Sequence, residues 1–298
     1  VAGKYDKLAY SLMALYVILM ALLVHLPRAL GHESGAENMM VDIAREQVAR
    51  LIGSETKEII FTSGATEGDN LAIKGVFEMY ADKGNHIITA TTEHKAVLDT
   101  CAQLEKDGFQ IDYLKVDHLG NINLSELESL ITERTLMVAV MLVNNETGVI
   151  HPIKKISEMV HQKGCYFFCD ATQAVGKIPV HVKELNIDLM AFSAHKFYGP
   201  KGIGALYIAS AIKNKLQSQI QGGGQQHNLR SGTLNVPGIV GFGKACELAR
   251  LEMADDAARL SKLRDKLESA LVQLEEERGF HNQITIWLLL ILKKACVI

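Results

Sequence analysis

The feature that most constrains the fold of this chain is the alternation of short apolar runs with longer segments of helical period. Seven runs have the length and the β-branched or aromatic content of strands, namely 58–62, 86–90, 111–116, 136–143, 166–170, 189–193 and 204–208. Most of the segments between them are long enough for helices, and no repeat interrupts the pattern. This alternation predicts an α/β fold in which helices cover a mostly parallel sheet of seven strands.

Length and composition indicate a folded chain with three parts. A chain of 298 residues with 48% apolar residues can bury a large core. We expect an atypical apolar segment over residues 1–30, one large domain over residues 31–236, and a long helix with a short C-terminal region over residues 237–298. The stretch after residue 237 is rich in Ala, Leu, Glu, Lys and Arg, which favours the long helix.

Charge and cysteine usage exclude two classes of function. The 31 Lys and Arg residues balance 34 Asp and Glu residues without a dense basic run, so we expect no nucleic-acid partner. No CxxC pair occurs, which argues against a disulfide framework and a zinc site, and the five cysteines are residues 101, 165, 169, 246 and 296. We therefore predict no metal and a reducing compartment such as the cytoplasm.

Both ends of the chain carry apolar stretches. Residues 8–26 form a run of nineteen residues without a formal charge, close to the length of a membrane-spanning helix. This run is compatible with a membrane anchor, with a helix buried against the protein or a partner, and with a segment that replaces an ordinary N-terminus. Residues 284–292 are also apolar, but these nine residues are too few to cross a membrane as a helix.

Polar side chains collect directly after the predicted strands. Ligands of open parallel sheets bind outside the carboxyl ends of the strands, so these positions are the candidates for a site. The sequence SGATEG after the first strand offers backbone N–H groups and a hydroxyl at a helix N-terminus, which is typical of a phosphate cradle. The candidates in chain order are Ala65, Thr66, His94, Asn145, Asp170, Gln173, Ser193, His195 and Lys196.

These candidates match the chemical requirements of pyridoxal 5'-phosphate (PLP). The aldehyde of PLP needs a lysine amine, its pyridine nitrogen needs a carboxylate, and its phosphate needs a cup of N–H and hydroxyl donors. Lys196, Asp170 and the SGATEG turn would supply these three groups. Each motif alone is weak, but their joint appearance after predicted strands predicts a PLP-dependent enzyme.

Longer motifs carry a resemblance to a known family. The chain contains, in this order, the sequences FTSGATEGDNLAIKG, TTEHKAVLDT, VNNETGVIHPI, DATQAVGKIPV, DLMAFSAHKFYGPKGIGALYI and GGGQQHNLRSGTL. Together they closely resemble the cysteine desulfurases of the IscS/NifS type, which are class-V aminotransferase-like members of the fold type I PLP-dependent enzymes. The resemblance runs from about residue 31 to residue 277.

The resemblance implies a role for each candidate residue. Lys196 would carry the cofactor and move the substrate proton, and His94 would stack on the cofactor ring and move protons. Asp170 would pair with the ring nitrogen. The remaining implied contacts are those of Asn145 and Gln173 with the ring hydroxyl, those of Ala65, Thr66, Ser193 and His195 with the phosphate, and that of Thr233 with the phosphate from the second subunit of a homodimer.

The resemblance also implies a reaction and its partners. Enzymes of this family convert L-cysteine to L-alanine and pass the sulfur to an enzyme cysteine as a persulfide. The sulfur then reaches an acceptor or scaffold protein for iron-sulfur cluster assembly or tRNA thiolation. By resemblance, the expected partners of this chain are therefore L-cysteine, a second copy of the chain and a sulfur-acceptor protein.

The chain departs from the family pattern at both ends. The family's N-terminal Ala-Thr-Thr turn, its small C-terminal domain and its sulfur-accepting cysteine loop are not found, and none of the five cysteines matches that position. Gly68 stands where the family usually has a serine. We therefore expect a chain that binds PLP but is impaired in sulfur transfer.

Two other functions remain compatible with the sequence. A PLP-dependent selenocysteine lyase or an aminotransferase-like enzyme would need no sulfur-accepting thiol. The other alternative is a non-catalytic, dimerising PLP-binding scaffold, with membrane contact through residues 8–26.

Overall fold

The computed structural model describes residues 35–80, 82–212 and 216–278. Both apolar end segments, residues 8–26 and 284–292, lie outside these ranges, as does Cys296, so the predictions made for them also fall outside. Within the described ranges, no helix combines the length and the apolar character needed to cross a membrane.

The described residues form helices and strands that alternate along most of the chain. The α-helices are α1 (Gly35–Ile52), α2 (Ala65–Tyr80), α3 (Lys95–Lys106), α4 (Leu124–Leu130), α5 (Ile153–Gln162) and α6 (Val236–Arg278). The strands are β1 (Ile59–Thr62), β2 (His86–Ala90), β3 (Gln110–Leu114), β4 (Thr135–Ala139), β5 (Tyr166–Asp170), β6 (Leu189–Ser193) and β7 (Gly204–Ile208).

The strands form one seven-stranded sheet in the order β1-β7-β6-β5-β4-β2-β3. Strand β7 runs antiparallel to both of its neighbours, β1 and β6, and the other pairs are parallel. The carboxyl ends of six strands and the amino end of β7 therefore meet at one edge, which we call the carboxyl edge. This topology confirms the predicted α/β fold with a mostly parallel sheet.

Helices cover both faces of the sheet. Successive side chains of a strand point to opposite faces. In β6, Met190 and Phe192 belong to the core shared with α1, α4, α5 and α6, whereas Leu189 and Ala191 belong to the core shared with α2 and α3. Because both faces are buried, most of the strands are largely apolar, whereas the edge strand β3 (Gln110–Leu114) alternates polar and apolar residues.

Four predicted strands, 86–90, 166–170, 189–193 and 204–208, have the observed bounds of β2, β5, β6 and β7. All four consist largely of apolar residues that end in or before a polar turn, so their limits are visible in the sequence.

The other three strands differ from the predicted bounds. The run 136–143 was expected to be one strand, but β4 is Thr135–Ala139, and Val143 forms an isolated antiparallel bridge with Ile150. The strand expected over 111–116 is Gln110–Leu114, and the one expected over 58–62 begins at Ile59. Glu58 instead ends a short 3-10 turn, where its side chain caps the turn and accepts other hydrogen bonds.

Helix α6 confirms the long helix expected after residue 237. Phe242 of α6 packs its ring 6.3 Å from the ring of Phe61 and 5.7 Å from that of Phe192, which anchors the start of the helix on the sheet. Beyond Cys246, no residue of α6 whose side chain is described is buried. The division of the chain into three parts stays a prediction.

Candidate active site

The loop between β1 and α2 forms a cradle at the carboxyl edge. The backbone N–H of Ala65, the first residue of α2, donates to Oγ of Ser193 at 2.7 Å. Gly64 has a φ of +155°, a conformation that a side chain would strain, and a Cβ atom there would lie 3.4 Å from the same Oγ. The helix N-terminus, its N–H groups and the serine hydroxyl thus surround a small space suited to an anion.

An ion pair holds this cradle from the outside. Glu67 accepts from the backbone N–H of Ser63 at 2.8 Å and from Nε of Arg230 at 2.8 Å. Burial alone would raise the pKa of Glu67, but the hydrogen bonds from Arg230 and Ser63 outweigh burial and lower it. The Glu67 carboxylate therefore connects the SGATEG turn to the RSGT segment of the same chain.

Asp170 ends β5 at the carboxyl edge and is 5% exposed. Its Oδ1 accepts from the backbone N–H of Thr172 at 2.9 Å. Burial raises the pKa of Asp170, and the Thr172 hydrogen bond and the charges of His94 and Lys196 partly offset this effect. His94 and Lys196 therefore lie close enough to Asp170 for their charges to act on its carboxyl group.

Lys196 lies on a short 3-10 turn, Ala194–Phe197, that directly follows β6. Its side chain is exposed, as is that of His195. Partial burial and the positive charges of Lys196 and Lys201 lower the pKa of His195. The turn ends at Tyr198 in the left-handed conformation, with a φ of +67°. An exposed amine thus stands on a short, hydrogen-bonded turn beside the cradle.

His94 caps the N-terminus of α3. Its Nδ1 accepts from the backbone N–H of Ala96 at 3.1 Å, so the proton of the neutral ring is assigned to Nε2. The exposed ring lines a cleft of about 340 Å³ between α2 and α3, together with Thr66. A larger cleft of about 680 Å³ lies along α1 and contains none of the predicted site residues.

The two amide candidates are held by different contacts. Asn145 is half-buried, and its Nδ2 donates to Oε1 of Glu146 at 3.3 Å. The buried Asn144 shapes this loop, because its Oδ1 accepts from the backbone N–H groups of Glu146 and Thr147 at 2.8 and 2.7 Å. Gln173 is also half-buried, and its Oε1 accepts from Nζ of Lys177 at 3.0 Å.

The described side chains at the carboxyl edge are compatible with the groups that PLP would require. The Ala65–Ser193 cradle suits a phosphate because its N–H donors are backbone groups at a helix N-terminus. Asp170 is buried at the carboxyl edge, with Oδ1 on the backbone N–H of Thr172, and its carboxylate is suited to pair with a protonated nitrogen. Lys196 supplies an exposed amine whose charge acts on the Asp170 carboxyl group. Within the described ranges, no cluster of three or more His, Cys, Asp or Glu side chains could hold a metal.

Comparison with known proteins decides the family. The model of the family described as aminotransferase class-V matches residues 13–285. The chain belongs to this family. Two curated relatives of this class-V protein are the cysteine desulfurases IscS of Pectobacterium carotovorum and Glaesserella parasuis, each 51% identical over 251 residues, or 84% of the chain and 62% of the relative. The chain thus spans about 62% of the length of these relatives.

Solved structures agree with the family assignment. A NifS-like protein is 43% identical with a TM-score of 0.78, over 81% of this chain and 67% of that chain. DndA from Streptomyces lividans is 34% identical with a TM-score of 0.75, over 85% of this chain and 74% of that chain. The class-V chain is therefore a homologue of IscS- and NifS-type cysteine desulfurases, which confirms the resemblance in its motifs.

Thr233 is the predicted site residue with the weakest connection to the others. Its side chain is exposed and lies three residues beyond Arg230, in the segment that Arg230 ties to Glu67. The predicted contact of Thr233 with the site of a second subunit stays a prediction.

Two carboxyl groups near the site were not predicted. Asp69 is fully buried, and neither of its carboxyl oxygens has a hydrogen-bond partner among the described residues. Burial, with smaller contributions from Asp170 and Glu93, raises the pKa of Asp69 well above its usual value. Glu93 accepts from the backbone N–H of Met141 at 2.8 Å through Oε1, but its buried Oε2 is unpartnered. Burial likewise raises the pKa of Glu93.

The position of Asp69 carried a signal that could have identified it. On α2, the buried residues Ala65, Ala72 and Val76 lie on the same helical face as Asp69. An aspartate at core spacing must find a partner or stay protonated, because an isolated buried charge is very costly.

Proposed function

We propose that this class-V chain binds PLP at the carboxyl edge and acts on L-cysteine. The observation that carries the proposal is the electrostatic contact of Asp170 with Lys196 and His94, next to the cradle formed by Ala65 and Ser193. Similarity to enzymes named cysteine desulfurase supports the choice of substrate. In this proposal the chain acts as a homodimer. It resides in the cytoplasm, a location that its buried free thiols fit.

The chain's own residues divide the binding between two ends of the cofactor. Bound PLP supplies an electron-withdrawing ring that stabilises negative charge on the substrate α-carbon. Asp170 would pair with the protonated ring nitrogen, and Asn145 and Gln173 would contact the ring hydroxyl. The phosphate contacts would be made by Ala65, Thr66, Ser193 and His195, and by Thr233 from a second subunit.

Two side chains handle protons in this proposal. Lys196 is exposed and stands on a short turn, so its Nζ takes the α-proton from the substrate and returns it. His94 uses Nδ1 in the helix cap, which leaves Nε2–H as its donor, and the residue lines the cleft. His94 therefore stacks and donates from Nε2, and it accepts a proton only when the cap hydrogen bond to Ala96 opens.

The described cysteines do not supply the sulfur-accepting thiol. Cys101, Cys165, Cys169 and Cys246 are all buried. Burial is the largest cause that raises their thiol pKa, to about 12 for Cys101 and about 11 for Cys165. Because the thiolate is the nucleophile, these groups are inert in sulfur transfer. We therefore infer that the described residues bind PLP and transfer protons but supply no thiol that accepts the sulfur.

A second candidate function follows from the same buried thiols. A PLP-dependent selenocysteine lyase or an aminotransferase-like enzyme would use the same cofactor residues without an enzyme thiol. Incubation of the PLP-loaded chain with selenocysteine, with cysteine, or with an amino acid and a keto acid separates the candidates by their products. Binding of PLP without any product would favour the non-catalytic scaffold.

Absorbance spectroscopy with added PLP tests the cofactor site. We expect the purified chain to bind PLP, and borohydride reduction followed by mass spectrometry to place the label on Lys196. The variant Lys196→Ala should take up no label, whereas Lys155→Ala, which changes an exposed lysine on α5, should behave as the parent. A label on another lysine would refute the assignment.

A second measurement tests the sulfur half of the proposal. With L-cysteine and a reductant, the chain should release alanine and sulfide far more slowly than complete IscS-type enzymes do under the same conditions. Replacing the four described cysteines by serine or alanine one at a time should leave that rate unchanged. A rate comparable to that of a complete enzyme would contradict the inference.

A further inference from the structure

The turn after β5 contains Lys177, a residue to which the sequence analysis assigns no role. Backbone hydrogen bonds from Val175 to Ala171 and from Ile178 to Ala174, both 3.0 Å, give this segment helical spacing. Residues four apart therefore lie on one side of it. Through this spacing, Nζ of Lys177 donates to Oε1 of Gln173 at 3.0 Å.

The same turn packs against the segment that contains Lys196. Gly176 has a φ of +80°, and a Cβ atom at this position would lie 2.6 Å from Cγ of Phe197. This close approach brings Lys177 near the second amine of the site. Burial and the charge of Lys196 lower the pKa of Lys177 to about 8, so Lys177 is still mainly an ammonium group at neutral pH.

An ammonium group fixes the orientation of the amide that it contacts. It has three donors and no acceptor, so the amide atom that faces Lys177 must be the carbonyl oxygen. The other end of the Gln173 amide is then its NH2 group, and no described residue accepts a hydrogen bond from it. Gln173 can therefore act only as a donor toward a ligand at the carboxyl edge.

We propose that Lys177 is a positioning residue that holds the Gln173 amide with its Nε2 toward the cofactor, where it donates to an acceptor oxygen on the ring. This inference rests on the proposed PLP site and adds to it the group that determines the polarity of one contact. Without the ammonium group, the amide can rotate and present its carbonyl oxygen as readily as its NH2 group. The carbonyl oxygen would then repel an anionic ring oxygen.

A double-mutant cycle with PLP as the ligand tests this role. The proteins are the parent, Lys177→Met, Gln173→Ala and the double variant, with Lys177→Arg as the conservative variant and Lys155→Met as an exposed-lysine control. Lys177→Met should raise the Kd for PLP about three- to tenfold, the loss of roughly one hydrogen bond. It should also raise the pH midpoint of the absorbance change of bound PLP, because the anionic oxygen loses its donor.

The cycle separates a role through Gln173 from a direct effect of the charge. In the Gln173→Ala background, Lys177→Met should change neither the Kd nor the pH midpoint further, and Lys177→Arg should resemble the parent. Additive effects, or no effect of Lys177→Met, would overturn the inference. Melting temperatures show that each variant folds. Failure of the parent itself to bind PLP would refute the proposed function first, and this inference with it.

Discussion

Glu58 and Asp69 are two fully buried carboxyl groups on either side of β1, and their surroundings differ completely. Glu58 accepts from Nζ of Lys183 at 2.6 Å, from the backbone N–H and hydroxyl of Ser210 at 2.9 and 2.8 Å, and from the backbone N–H of Glu55 at 3.0 Å. Asp69 accepts none. Burial acts to raise the pKa of both, but the hydrogen bonds to Glu58 reverse that effect and lower its pKa.

The contrast extends to the two edges of the sheet. At the amino edge, His161 contacts Asp188 just before β6, and His86 at the start of β2 contacts Asp112. At the carboxyl edge, by contrast, Asp69 keeps both of its carboxyl oxygens unpartnered. Paired groups stabilise the fold. Groups with shifted pKa values and unsatisfied hydrogen-bonding atoms are instead typical of sites that receive a ligand. Four changes test this difference, beginning with the largest expected effect.

Removal of the Glu58 carboxylate should have the largest effect on stability. Glu58→Ala leaves the backbone N–H groups of Ser210 and Glu55 without their acceptor, and we expect a loss of about 2–4 kcal/mol in the free energy of unfolding. Urea unfolding measures this loss. The exposed Glu128→Ala serves as control and should stay within about 0.5 kcal/mol of the parent. An equally small effect of Glu58→Ala would remove the contrast.

Asp69→Asn should change the pH dependence of stability. Because the folded-state pKa of Asp69 is raised, the unfolded chain releases this proton first as pH rises above about 4, and the parent loses stability. The amide cannot ionise, so the variant should gain about 1–3 kcal/mol over the parent between pH 4 and 7. Urea unfolding across this range measures the gain, and Asp255→Asn on exposed α6 should show none.

Glu67→Ala should weaken ligand binding more than it weakens the fold. The change frees Arg230 and the backbone N–H of Ser63, so the cradle loses its outer support. We expect the Kd for PLP to rise about three- to tenfold and the free energy of unfolding to fall by about 1 kcal/mol. Titration with PLP and urea unfolding test both values. The exposed Glu158→Ala on α5 should change neither one, and a stability loss without a change in Kd would contradict this prediction.

His161→Gln should have the smallest effect, visible mainly as pH rises. The hydrogen bond from His161 to Asp188 raises the pKa of His161, so its stabilisation is fully present below about pH 6.5 and is lost as pH rises through the folded-state pKa. Because the pair is partly exposed, the contribution is at most about 1 kcal/mol. Melting temperatures at pH 6 and 8.5 should converge for parent and variant at the higher pH. The exposed His118→Gln should follow the parent at both pH values.

The strands were largely predictable because hydrophobic pattern and turn chemistry agree there. Both faces of the sheet are covered, so β2, β5, β6 and β7 appear as largely apolar runs between polar turns. The run 136–143 misled the prediction, because its residues stay buried after β4 ends at Ala139. Burial alone does not tell a strand from an extended segment beside it.

The candidate site was partly predictable for a different reason. Asp170 ends β5 and Lys196 lies in the turn after β6, and parallel topology brings such residues to one edge whatever their separation in sequence. Lys177 was missed because its i, i+4 spacing to Gln173 matters only once the backbone hydrogen bonds show helical spacing in this segment. Glu93 was missed because its interaction with Asp170 joins residues that are far apart in the sequence. The tautomer of His94 likewise follows from one backbone contact, to Ala96, and not from residue type.

The antiparallel direction of β7 has a mechanical consequence for Lys196. The segment that carries this lysine leaves the sheet at Ser193 and returns at Gly204, and these two residues are register partners in adjacent strands. Additional backbone hydrogen bonds join Ala194 to Ile203 and Gly199 to Ala194. The segment is thus a short loop whose two ends are paired in the sheet. Shifting its backbone would require breaking the hydrogen bonds between β6 and β7. In the proposed reaction, any movement of Nζ therefore comes from rotation about the side-chain bonds of Lys196, while the backbone of the segment stays in place.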